Sequence, residues 1–173
     1  MCASTHHARL TVAIEIERKF LLRDDRWRAA VQRSVLMRQG YLAGSAECSI
    51  RIRLSDEQAH LNIKSATLGV QRTEFEYLVP RADAELMLAS LCGTRILEKT
   101  RHFVLHHGHN WEIDEFYGAN AGLIVAELEL DAEDEVFVRP PWLGAEVSDD
   151  ARYYNYCLVE HPYQQWQSRL KPD

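Results

Sequence analysis

The chain has 173 residues, 46% of them hydrophobic and 27% charged, which excludes a disordered, collagenous or linker-like polypeptide. Lys and Arg number 20 against 26 Asp and Glu, a net charge of −6 that argues against a nucleic-acid coat or a basic membrane binder. Apolar runs are only a few residues long, far short of a membrane-spanning helix.

Cys2, Cys48, Cys92 and Cys157 are scattered and form no CxxC, so they read as reduced thiols of a cytoplasmic protein. Residues 1–11 read as a flexible N-terminal extension without a secretory leader, and 12–173 as a single domain.

In chain order, period-two alternation predicts a strand over Val12–Leu22. Asp24 or Asp25 caps a helical segment reaching Ser34, and Leu36–Leu42 is a further short strand. Ser49–Leu54 and Ala59–Lys64 form a hairpin, and Gln71–Val79 is the next strand. Pro80–Leu91 is an amphipathic helix that stops at Gly93. Ile96–His106 and Asn110–Phe116 pair around His107-Gly108-His109, and Leu123–Leu130 follows a Gly-rich turn. A short helix is expected over Asp131–Val138, ended by Pro140-Pro141, with further helices at Asp149–Leu158 and Pro162–Leu170. The class is α+β, with mostly antiparallel strands because hairpin spacings dominate.

Side chains at i and i+2 of a strand share a face. Glu15, Glu17 and Lys19 therefore oppose Ile14, Ile16 and Phe20. By the same rule Arg51 and Arg53 share a face, as do Arg72, Glu74 and Glu76, Lys99 and Arg101, Glu112 and Asp114, and Glu127 and Glu129. Like charges close together cost free energy unless a ligand offsets them. If the sheet closes with helices on its apolar outside, these charges point into a lumen. Arg and Lys suit phosphate oxygens, and carboxylates suit hard divalent cations. The ligand expected is a linear polyanion bridged by a metal. HisxxxHisHisxHis at His102–His109 reads as a solvated turn rather than a transition-metal site.

Glu15-Ile16-Glu17-Arg18-Lys19 near the N-terminus resembles the Glu-x-Glu-x-Lys signature of the CYTH superfamily, the triphosphate tunnel metalloenzymes. Arg38-Gln39-Gly40-Tyr41-Leu42, Arg51-Ile52-Arg53, the Lys64 strand, Glu74-x-Glu76, Glu98-Lys99-Thr100-Arg101, Asp114 and Glu127-Leu128-Glu129 follow in that family's order. The likeness, strongest to the short bacterial inorganic tripolyphosphatases, runs over about residues 12–160. It implies a closed eight-stranded antiparallel β-barrel, a tunnel with helices packed outside.

It also implies metal-dependent hydrolysis of a triphosphate, most closely inorganic tripolyphosphate to pyrophosphate and phosphate. Alternatives are hydrolysis of ATP or thiamine triphosphate, a class IV-like adenylyl cyclase, or a non-catalytic polyphosphate- or nucleotide-binding module. By resemblance, Lys19, Arg51, Arg53, Lys64, Lys99 and Arg101 hold phosphates, and Glu15, Glu17, Glu127 and Glu129 hold Mg²⁺ or Mn²⁺ at two sites. Glu76 and Asp114 are acidic support. Lys19 and Tyr41 match a catalytic pair in which Lys19 lowers the pKa of Tyr41 or orients the water. Tyr154 and Tyr156 stand where similar proteins carry basic residues, leaving Arg152 as the main substrate-binding cation of the C-terminal segment. The partner expected is a small-molecule triphosphate, with no nucleic acid and no membrane; the oligomeric state stays open, a homodimer being one option.

Overall fold

The computed structural model describes residues 13–45, 47–56, 58–65 and 69–169. Its strands are β1 (Ala13–Leu22), β2 (Val31–Gly44), β3 (Cys48–Ser55), β4 (Gln58–Ser65), β5 (Gln71–Leu78), β6 (Ile96–His106), β7 (His109–Phe116), β8 (Ile124–Leu130) and β9 (Leu143–Glu146), with helices α1 (Arg81–Ser90) and α2 (Asn155–Glu160). β1 to β8 close into an antiparallel barrel in the order β5-β4-β3-β2-β6-β7-β8-β1, sealed by β1 against β5. One edge of β1 carries β8; the other is shared, with β5 beside Ala13–Ile16 and β9 beside Phe20 and Leu22.

Alternation along each strand sends apolar side chains outward, where the connecting segments cover them. Ile16, Phe20, Ile113, Ala126 and Leu128 pack beneath Trp27, Trp142 and Leu143. Ile52, Leu54 and Ala59 pack beneath Ala84, Leu88 and Cys92 of the α1 region. This helix stops before Gly93, whose φ of +59° suits a residue without Cβ. Inside the barrel, Leu21, Leu97, Phe116 and Val125 occupy the positions two residues from Lys19, Lys99, Asp114 and Glu127. Tyr153, Leu158 and Trp166 of the C-terminal segment pack on them and fill one end of the lumen.

Several expected elements differ. Asp24 does cap a turn, accepting from the Arg26 N–H at 3.0 Å, but the turn is a 3-10 helix that ends at Ala30. From Val31 the chain is already strand, because Val35, Met37, Gln39 and Tyr41 alternate buried with exposed neighbours. Residues 131–142 form no helix. Asp131, Glu133, Asp134 and Glu135 repel one another over a single turn, and Arg139 precedes a proline that disfavours helix. The segment is instead anchored by Phe137 and Trp142, both packed edge-on against Trp111. The C-terminal helices shorten to α2 and 3-10 turns, and β9 was not anticipated.

Leu88 is 1% exposed on the inner face of α1. Leu88→Ala is expected to lower unfolding free energy by about 2–5 kcal/mol, read as a lower urea midpoint at unchanged slope.

Candidate active site

The lumen is a cavity of about 710 Å³ into which six cations and seven carboxylates project. Eleven of the expected site residues line it: Glu15, Glu17 and Lys19 on β1, Tyr41 on β2, Arg51 and Arg53 on β3, Lys64 on β4, Glu76 on β5, Arg101 on β6, and Glu127 and Glu129 on β8. The register explains the convergence. Lys19 stands opposite Glu127, Arg101 opposite Asp114, Tyr41 opposite Arg51 and Lys64 opposite Glu74.

Most of these charges are paired. Lys19 Nζ contacts both Glu17 and Glu127. Arg72 Nε donates to Glu15 at 2.7 Å and its Nη2 to Glu17 at 2.9 Å. Lys64 reaches Glu15 at 2.8 Å and Glu74 at 2.7 Å. Arg53 meets Glu76 at 2.6 Å. Arg101 grips Asp114 with two 2.7 Å bonds and also contacts Glu112 and Glu127.

Two groups stand apart. Arg51 is 7% exposed, yet its nearest carboxylate, Glu74, is 3.9 Å away and its Nε has no partner among the described residues. Glu129 has no cation partner among the described residues; burial and the neighbouring Glu15, Glu112 and Glu17 push its pKa up.

Protonation follows from the same contacts. Burial opposes charge on Lys19, but Glu127 and Glu17 outweigh it and hold the ammonium above its usual range. Burial likewise opposes Glu127, and Lys19, Arg101 and Lys99 hold its carboxyl well below the usual range. The Tyr41 phenol is raised, since burial outweighs Arg51, Arg72 and Lys19. Lys19 does act to lower the Tyr41 pKa, but burial outweighs it together with the other cations, so Tyr41 stays a neutral phenol.

Lys99 and Asp114 do not line the cavity. They face inward as a buried pair between the cavity and the apolar plug, and burial with Arg101 alongside pushes Lys99 down to about 8. Arg152 is corrected outright. It lies outside the lumen, half-exposed, bonded to Asp150 at 2.5 Å and stacked over Trp166. The reason is local: Asp150 caps the turn Ala151–Tyr153, and its carboxylate captures the guanidinium two residues on. Tyr154 and Tyr156 reach the cavity instead. The Tyr154 hydroxyl donates to Ser148 O at 2.8 Å and accepts from Gly69 N–H at 3.2 Å.

Arg72, Glu74 and Glu112 line the lumen and were not singled out as site residues. The signal was present, since alternation already placed each on a charged face. The histidines of the β6–β7 hairpin do not all gather: His102 bonds Ser34, His109 bonds Glu135, and His106 and His107 meet edge to face with centroids 4.5 Å apart.

The family model for the CYTH domain matches residues 13–157. The chain belongs to the CYTH family. It is 40% identical over 149 residues to an inorganic triphosphatase of Acetivibrio thermocellus, covering 86% of this chain and 95% of that one. It is 34% identical over 149 residues to an inorganic triphosphatase of Nitrosomonas europaea, covering 84% and 96%. A crystal structure of an inorganic triphosphatase superposes with a TM-score of 0.59 at 32% identity, covering 84% of this chain and 93% of that one. For this CYTH barrel the closed eight-stranded tunnel is thus a family architecture.

Whether the lumen suits a divalent cation is a question of donor chemistry. Among the described residues no three His, Cys, Asp or Glu converge as a preformed cation site, because the carboxylates face cations. Glu15, Glu17, Glu127 and Glu129 nevertheless supply only oxygen donors from two adjacent strands, with Glu129 uncompensated, and this set fits a hard divalent ion.

Glu15, Glu17, Glu74, Glu76 and Glu127 all have lowered pKa values, whereas Glu112 and Glu129 are raised. Below the ordinary value of 4.5 the unfolded chain binds protons that the first five refuse in the folded state. Their contribution is complete above that pH and lost as pH falls through the folded values; Glu112 and Glu129 oppose it with the reverse sign. The melting temperature is expected to fall as pH drops below about 4.5, and Glu127→Gln to flatten that fall.

Proposed function

We propose that this protein is an inorganic triphosphatase that hydrolyses tripolyphosphate to pyrophosphate and phosphate inside the barrel. The observation that carries the reading is Arg51: a buried guanidinium lining the lumen whose nearest carboxylate among the described residues stands 3.9 Å off, which leaves its charge weakly matched and suited to an anion. The names of the relatives at 40% and 34% identity support it.

In this reading Arg51, Arg53, Lys64 and Arg101 hold phosphate oxygens, with Arg72 beside them and Lys99 adding charge from deeper in the barrel. Asp114 holds Arg101 in a bidentate grip, and Glu76 holds Arg53 through one bond. Glu127, Glu129, Glu15 and Glu17 would hold Mg²⁺ or Mn²⁺ at up to two positions. Such an ion, when bound, neutralises phosphate charge and acidifies water. Water forms the new P–O bond and gives its proton to the phosphate oxygens, while the bridging P–O bond breaks and pyrophosphate leaves with the electron pair. Lys19, held protonated, stabilises charge rather than removing a proton. Tyr41, a neutral phenol, donates a hydrogen bond to the reacting phosphate or orients the water.

An organic triphosphate is the second reading, favoured by one observation. The residues lining the lumen include the uncharged Ile14, Tyr154, Tyr156 and Cys157, apolar surface that suits an aromatic substituent.

Phosphate release from tripolyphosphate, ATP, thiamine triphosphate, longer polyphosphate and pyrophosphate, with Mg²⁺ and then Mn²⁺, tests both. Preference for tripolyphosphate and loss of activity in chelator are expected; preference for ATP, or cyclic AMP as product, moves the protein to the second reading. Tripolyphosphate with Mg²⁺ should also raise the melting temperature, whereas a barrel whose charges serve only as internal ion pairs gives no shift. Glu127→Gln is expected to cut turnover by about two orders of magnitude. Tyr41→Phe should lower kcat by about ten- to a hundredfold with little change in KM.

A further inference from the structure

β2 does not run evenly past Tyr41. Tyr41 stands opposite Arg51 and Ala43 opposite Ile50, so Leu42 is an extra residue without a counterpart on β3. A bulge of this kind bends the strand and re-aims the side chain beside it. Arg95 pins the bulge on both sides: its carbonyl accepts from the Tyr41 N–H at 3.0 Å, and its Nη2 donates to the Leu42 carbonyl at 3.3 Å. Tyr41 is thereby turned into the lumen, where it is 2% exposed.

The bulge sets the direction of the Cα–Cβ bond but not the ring. Gln39 Nε2 approaches the phenol oxygen at a long 3.3 Å, and Arg51 also hydrogen-bonds it. The ring itself is met by Tyr156, edge to face, with centroids 5.2 Å apart and planes at 76°. Tyr156 in turn sets the hydroxyl end of its ring against Gly44, where an added Cβ would fall 2.5 Å from Cε2 and 2.6 Å from Cζ and the hydroxyl oxygen. A side chain at position 44 would push that end of the ring aside.

We propose that Tyr156, seated on Gly44, is a positioning residue that fixes the ring of Tyr41 and so aims its hydroxyl at the reacting phosphate. The inference rests on the reading of Tyr41 as a group that meets substrate. It assigns a task to a tyrosine standing where similar proteins carry a basic residue, and that task belongs to the aromatic ring, not to its hydroxyl.

The test is steady-state phosphate release from tripolyphosphate with Mg²⁺, using the full chain. Tyr156→Phe keeps the ring and is expected to match the parent. Tyr156→Ala is expected to lose about ten- to a hundredfold in kcat, with KM within about twofold. Gly44→Ala, which displaces the ring without altering Tyr156, should reproduce that loss. In a Tyr41→Phe background Tyr156→Ala should add little, because both changes act through one hydroxyl. Equal losses in the two backgrounds, an inactive Tyr156→Phe, or a fully active Tyr156→Ala or Gly44→Ala overturns the proposal while leaving Tyr41 in place. A Tyr41→Phe enzyme as fast as the parent overturns the role of Tyr41 and, with it, that of Tyr156. Melting temperatures of all variants separate lost fold from lost aim.

Discussion

Like charges stand face to face across neighbouring strands of this barrel: Glu17 opposite Glu129, and Glu112 opposite Glu127. Such pairs repel, and burial in a lumen strengthens the repulsion. The structure tolerates them because cations enter from both sides. Lys19 and Arg101 reach Glu127, and Lys19 and Arg72 reach Glu17. Everything else in the fold serves this arrangement. The outer apolar faces need Trp27, Trp142 and α1 as covers, and the apolar plug under Lys19 and Lys99 keeps solvent from one end.

This compensation also fixes protonation states. A lysine between two carboxylates stays an ammonium, and a phenol walled in by side chains stays a phenol. The pair at the heart of the proposed chemistry therefore works by charge and hydrogen bonding, with no side-chain base between them. Phosphoryl transfer, which depends mainly on positioning and charge stabilisation, suits groups of that kind.

Much of this was legible in the sequence because a strand writes its two faces at every second residue. Glu15-x-Glu17-x-Lys19 and Arg51-x-Arg53 named a common interior before any pairing was known. The same rule, applied without a motif to single them out, would have included Arg72, Glu74 and Glu112. Arg152 was misplaced because its capture by Asp150 is a capping event at a turn, invisible to a motif that counts positions. The segment 131–142 was misread as helix because Asp131 and Pro140-Pro141 are valid stop signals for a helix that its own acidic run prevents. Tyr156 showed in the sequence only as a tyrosine at a usually basic position; its contact with Gly44, more than a hundred residues away, is a tertiary event that no local pattern records.

The ring is fastened unevenly. β2 and β6 match along nine residue pairs, whereas β1 meets β5 along only four, since β9 takes the rest of that edge. Across this short seam Arg72 clasps Glu15 and Glu17, and Lys64 bridges Glu15 to Glu74. The residues poised for ligand are thus also the buckle of the barrel. A change that empties the lumen of charge loosens the circumference, so the architecture itself guards its functional side chains against drift.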